Sequence, residues 1–262
     1  MAINVNTVYR TVLSILNKEQ RGYMTPNEFN RTATQVQLEI FEKYSDDLNQ
    51  QLRFPQTDVD YANRPENIDE KLAIFKTSGT CSYDVAGGFY IIPTTDIYGN
   101  TVTFYRLGTV VYNNEYGVST EVQRLDRNDF YYTENSPLTK STISFPTYLY
   151  ENRDAVGVSL IYVNPTTINC PTCIAVDFLR KPTPVRWGYE LGAQGQYTYD
   201  SQVYDPNITL GTQGSTNFEL HTSEQTEAIL KILMYAGVII RDPEIVQAAA
   251  QQAMVKDQNE KT

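Results

Sequence analysis

Three residue types are scarce in this chain. It holds three cysteines, one histidine and one tryptophan in 262 residues. An odd, low cysteine count does not make the paired framework of a disulfide-rich secreted fold. A lone histidine, His221, cannot build a multi-histidine metal site, and any Ser-His-Asp mechanism would have to run through it. No Gly-rich phosphate loop, G-x-S-x-G elbow or H-E-x-x-H pair occurs. Basic charge is short as well: 21 Lys and Arg face 31 Asp and Glu, a net charge of −10. Wrapping nucleic acid needs clustered cations, so that class is excluded, whereas a wall past which DNA slides is not. No run approaches the roughly 18 apolar residues of a membrane span. The start, Met-Ala-Ile-Asn-Val-Asn, has no basic stretch followed by an apolar one, so no signal peptide is expected.

What remains is a globular composition, 41% hydrophobic and 20% charged, on a chain long enough for one or two domains with a sizeable core. Tyrosine is abundant, 20 against 10 Phe. Tyr favours strands, and its apolar body with a polar tip also suits protein interfaces.

The ends read as helices. Val5, Val8, Val12 and Leu16 form a stripe that Asn4 or Asn6 can cap and Gly22 can end. Thr25-Pro-Asn-Glu28 is a capping box with Pro at the first helical position. Phe29, Ala33, Val36, Ile40 and Tyr44 follow it at helical spacing, predicting a helix from Pro26 to about Leu52. Near Thr222, with Ser223 as cap, a strongly apolar helix over Gln225–Ile240 begins, and Asp242-Pro-Glu244 restarts another. Between these ends, 53–72 reads as a polar linker. Its acids Asp58, Asp60, Glu66 and Asp69, with Asn63, lack the order of a calcium-binding loop and read as solvated.

From Leu72 to Leu179 turn signals recur between runs rich in β-branched and aromatic residues: Phe89–Ile92, Val102–Tyr105, Val110–Tyr112, Thr142–Tyr150, Val156–Val163 and Ile174–Leu179. Cys170-Pro-Thr-Cys173 has the spacing of a zinc or redox motif. A zinc site would still need Cys81 and His221 from distant segments, and the motif runs into a strand and not a helix N-terminus. It therefore reads as a turn with two small apolar thiols. The stretch 181–217 reads as a long loop or extended arm. Within it Trp187, after Arg186, is either a buried anchor or an interface hot spot, with Tyr189, Tyr197 and Tyr199 as further candidate interface residues.

The expected fold class is α+β. N- and C-terminal helices (1–54 and 218–257) form a helical bundle, and an antiparallel β-sheet or small β-barrel domain is inserted at 72–180. No catalytic residue, metal or cofactor is expected.

Two segments carry a resemblance. Val5-Asn-Thr-Val-Tyr-Arg-Thr-Val-Leu13 and Asn17-Lys-Glu-Gln-Arg-Gly-Tyr-Met-Thr-Pro-Asn-Glu-Phe-Asn30, continuing to Gln35-Val-Gln-Leu-Glu-Ile-Phe-Glu42, make the first. Arg180-Lys-Pro-Thr-Pro-Val-Arg-Trp-Gly-Tyr189 with Ile240-Arg-Asp-Pro-Glu-Ile245 makes the second. Together they resemble structural proteins of tailed bacteriophages, especially crAss-like short-tailed phages. The resemblance covers both helical ends and the close of the β region, and is weak over 80–150. It implies a non-enzymatic head–tail connector component of the virion, a ring or adaptor beneath the portal. Such a subunit closes as a homo-oligomeric, twelvefold ring, contacts portal and tail proteins, lets DNA pass through its lumen, and touches no membrane. The alternatives are another tail, muzzle or capsid-associated virion protein, or a Tyr-rich carbohydrate-binding β module.

Overall fold

The computed structural model describes residues 2–18, 23–51, 64–114, 117–153, 158–205 and 214–239, with 247, 251, 252, 254 and 255. The chain is α+β. Its helices are α1 (Val5–Lys18), α2 (Pro26–Gln51), α3 (Arg64–Ala73), α4 (Arg127–Asn135) and α5 (Gln225–Ile239). Two compact units form: unit 1 from Met1–Ile74 with Pro182–Thr262, and unit 2 from Phe75–Lys181.

In unit 1, Asn4 Oδ1 caps α1 by accepting from the N–H groups of Asn6 (2.9 Å) and Thr7 (3.1 Å). The capping box of α2 closes both ways. Thr25 N–H donates to Glu28 Oε2 at 2.9 Å, and Glu28 N–H points back to Thr25 Oγ1 at 3.4 Å. The stripes of both helices are buried, as are Ala228, Ile232, Leu233 and Ala236 of α5. A 3-10 turn at Thr222–Glu224 leads into α5, with the His221 ring, rather than Ser223, as its cap. α3 occupies part of the stretch expected as a linker. Ile68 and Leu72, one helical turn apart, are buried, with Glu66 in the first turn and Lys71 in the last. Glu66 and Asp69 lie on this helix, whereas Asp58, Asp60 and Asn63 fall outside the described residues, as do Gly22 and the helix start at Asp242.

Unit 2 contains β1 (Lys76–Thr80), β2 (Ser82–Asp84), β3 (Phe89–Ile91), β4 (Phe104–Asn113), β5 (Ser119–Glu121), β6 (Gln123–Arg124), β7 (Thr147–Arg153), β8 (Val158–Asn164) and β9 (Ile174–Arg180). They form two sheets, ordered β1-β9-β4-β5 and β2-β3-β8-β7-β6. The chain passes from one sheet to the other at Cys81 and again at Val122, both almost fully buried. Each corner is tied to the first sheet: Cys81 N–H donates to Ile174 O, and Val122 N–H to Val110 O, both at 2.9 Å. Tyr90, Tyr112, Tyr148, Ile161, Val176 and Phe178 fill the core between the sheets.

Three expectations are corrected here. No closed barrel forms among the described residues, because the corner strands β2 and β6 are too short to carry pairing round the bends. The second sheet is mixed and not purely antiparallel. β6 runs parallel to β7, since the excursion at 125–146, which includes α4, returns the chain before β7 starts. Cys170 and Cys173 are not two thiols but a disulfide, in the connection from β8 to β9. The two runs at Val102–Tyr105 and Val110–Tyr112 also fuse largely into one bulged strand, β4, through Gly108, whose Cβ would stand 2.9 Å from the Asp177 carbonyl.

Candidate functional site

All five candidate interface residues come together in unit 1. Past Trp187 the chain folds into a hairpin of β10 (Tyr189–Leu191) and β11 (Tyr197–Tyr199). The pairs Tyr189↔Tyr199 and Leu191↔Tyr197 put these four side chains on one face, by the period of two. The rings form a ladder. Trp187 stacks on Tyr189 (6.0 Å between centroids, 22°) and on Tyr199 (5.8 Å, 29°), and Tyr197 meets Tyr189 edge-on at 4.9 Å. Tyr9 of α1 closes on Trp187 from within at 4.4 Å. Burial, then a hydrogen bond with Tyr23, push the Tyr9 hydroxyl far above the ordinary phenol range. The Arg186 guanidinium lies 4.8 Å from the Tyr204 ring centroid, in cation–π range.

The indole is 4% exposed, so Trp187 is an anchor inside unit 1. Solvent meets the ladder at its outer rung, Tyr197 (39% exposed) and Leu191 (67%). The anchor is held by amide side chains that sequence reasoning did not single out. Asn30 accepts from the Trp187 backbone N–H at 2.7 Å and donates to its carbonyl at 3.3 Å, while Trp187 Nε1 donates to Asn6 Oδ1 at 3.2 Å. Asn30 belongs to a polar stripe on α2. Thr34 donates to Val185 O, and Gln37 donates to Thr183 O and accepts from Glu219 N–H. Spaced at i, i+4 and i+7, these three side chains serve the extended segment 183–187 as a neighbouring strand would. A carbohydrate platform would need Trp on an open sheet face, and the single Trp is spent here.

Unit 1 also buries charge. Glu224 and Glu227, both under 5% exposed as residues, pair with Lys71 (2.5 Å), and with Lys43 (3.4 Å) and Lys231 (3.6 Å), respectively. The Tyr235 hydroxyl donates to Glu39. That bond, then burial, push it up to about 12. These ion pairs tie α2 to α5, and α3 to the 3-10 turn that leads into α5. His221 accepts from Ser223 N–H as a cap. Among the described residues no group of three or more His, Cys, Asp or Glu is placed to hold a metal ion, and no helix is long and apolar enough to cross a membrane.

Unit 2 carries surface features the sequence reading missed. In the excursion at 125–146, Leu138 is 97% exposed, Phe145 80% and Tyr132 74%. At the turn before β4, Tyr98 is 80% exposed and Ile97 60%. Phe145 falls within the run Thr142–Tyr150 expected as a strand, but the strand observed there is Thr147–Arg153, which leaves Phe145 before its start. No protein-family model matches the chain, and no curated protein is significantly similar to it.

Proposed function

We propose that this protein is a non-enzymatic structural subunit of a tailed-phage virion: a portal-proximal ring or adaptor of the head–tail connector, closing around the DNA channel. In this reading the helices from the two ends of the chain form one bundle and unit 2 is an insertion into it. The observation that carries the reading is the set of large side chains exposed on unit 2, Tyr132 on α4 and Leu138, Phe145 and Tyr98 outside helices and named strands. In a ring these side chains would be buried against neighbouring subunits, where large aromatic residues are enriched. The resemblance of both helical ends to short-tailed phage structural proteins supplies the place in the virion. The net charge of −10 suits a lumen through which DNA slides without sticking. A ring needs heterologous, head-to-tail contacts that close.

Native mass spectrometry of the full chain, alone and mixed with the cognate portal, tests this. The expected result is a complex holding the chain in a fixed multiple near twelve. A stable monomer that ignores the portal sinks the adaptor role and moves the protein to another part of the virion or out of it.

A further inference from the structure

All three cysteines of the chain meet in unit 2. The connection from β8 to β9 carries the chain from the second sheet to the first, and the Cys170–Cys173 bond closes its last turn. The two sulfurs differ in their surroundings. Cys173 is 7% exposed and packs in the core between the sheets, and its carbonyl accepts from Asn113 N–H of β4 at 2.8 Å. Cys170 is half-buried, and Asn169, Pro171 and Thr172 around it are exposed. A reagent in solution therefore reaches the bond from the Cys170 side.

On the inner side stands Tyr90 of β3, which is fully buried. Its hydroxyl lies 3.2 Å from Ile168 O, 3.2 Å from Cys170 O and 3.4 Å from Cys173 Sγ. Burial, then the neighbouring Tyr83, Cys81 and Tyr112, push this phenol far above its ordinary range, so it stays protonated and remains a donor. One proton faces three acceptors, and it can turn from a carbonyl to the sulfur by rotation of the hydroxyl alone. Cys81 is the third cysteine. Its N–H is bonded to Ile174 O, and burial pushes its thiol up to about 12, so it stays a thiol and does not attack the bond.

We propose that Cys170–Cys173 is a thiol–disulfide exchange site: a small thiol of the glutathione class opens it by attack on Cys170, and the corresponding disulfide closes it. The reagent thiolate attacks Cys170 Sγ. A mixed disulfide forms there, the bond to Cys173 breaks, and its electron pair leaves on Cys173. Tyr90 donates to that new thiolate, at the place where the charge develops. A second reagent thiolate then attacks the reagent sulfur of the mixed disulfide, which releases Cys170 and forms the reagent disulfide. The two reagent thiols lose two electrons and two protons, and the two cysteines gain them. In a C-x-x-C motif a helix N-terminus commonly stabilises the thiolate. Here the motif runs into β9, and a buried hydroxyl takes that part. Opening the bond loosens the connection between the sheets, so the redox state of the surroundings sets the stability of unit 2. This inference goes beyond the ring reading and holds or fails without it.

The test uses the full chain, kept folded in glutathione buffers of graded ratio and in dithiothreitol, with free thiols alkylated and located by mass spectrometry. In the oxidised protein Cys81 alone is alkylated, and only after unfolding. In the reducing buffers Cys170 and Cys173 are alkylated while the circular dichroism keeps its folded strand signal. Reduction lowers the melting temperature of unit 2 by about 5–10 °C, the size expected for a bond that closes so short a loop, and glutathione disulfide restores it. A chain carrying Cys170→Ser and Cys173→Ser melts at the reduced value in every buffer. With glutathione disulfide, Cys173→Ser traps an adduct on Cys170, whereas Cys170→Ser leaves Cys173 unmodified. Tyr90→Phe separates positioning from packing. Loss of the donor slows reduction about 10-fold, the worth of one hydrogen bond to a charged group, whereas a merely loosened core would speed it. A bond that neither reductant opens until the protein unfolds overturns the site, as do two cysteines that stay reduced in glutathione disulfide. Reduction as fast in Tyr90→Phe as in wild type overturns the part assigned to Tyr90.

Discussion

Trp187 is held by three rings and three hydrogen bonds, to Tyr9, Tyr189 and Tyr199 on one hand and to Asn30 and Asn6 on the other. Its replacement therefore acts on stability first. Trp187→Ala is expected to cost unit 1 about 3–5 kcal/mol, from lost burial and the cavity left behind. Trp187→Phe keeps the stacking but loses the bond to Asn6, and costs less. Urea unfolding followed by far-ultraviolet circular dichroism measures both. A wild-type midpoint for Trp187→Ala would mean the indole contributes nothing to the fold, contrary to its packing.

Helix α2 shows what an element adds. Its start is set by Thr25 and Glu28, whose carboxyl is held below the ordinary glutamate value by hydrogen bonds from Thr25. The sign follows from that direction. A depressed folded pKa means the contribution is complete above the ordinary carboxylate range and is lost as pH falls through the folded value. Melting temperature should thus decline on acidification partly through this group, and Glu28→Gln should flatten that part of the profile while lowering stability modestly at neutral pH. A Glu28→Gln profile parallel to wild type between pH 3 and 6 would remove the capping box as a cause. The bounds of α1 and α2 were legible because caps and apolar spacing are local signals. α3 and α4 were not. α3 has two apolar contacts, Ile68 and Leu72, and α4 buries Phe130 alone, so each helix is stabilised by its docking more than by its own sequence. In β4, Gly108 looked like a break between two strands, and its real role, close approach to the Asp177 carbonyl, depends on a strand some 70 residues later.

For the molecule as a whole, unit 1 draws on both ends of the chain. Phe218, Leu220, Ala228, Ile232 and Leu233 are all buried in it. Ending the chain at residue 217 is expected to unfold unit 1 and leave unit 2 folded. The one tryptophan makes this direct: its emission should shift to the red, as in denaturant, while strand signal persists in the circular dichroism. Unshifted emission would show that α5 is dispensable to the core around Trp187. The acidic balance is uneven in the same division. Unit 1 has 13 basic and 21 acidic residues and unit 2 has 8 and 10, so most of the acidic surplus sits in unit 1. Class, helical ends and a strand-rich middle were written in composition and periodicity, because burial stripes and caps depend on residues within a turn or two of one another. The pairing of β1 with β9, the corners at Cys81 and Val122, the Cys170–Cys173 bond and the clasp of Asn30 on Trp187 were not. Apart from that one bond, they join residues far apart in the chain. Many partners satisfy such contacts equally well on paper, and close packing in three dimensions selects among them.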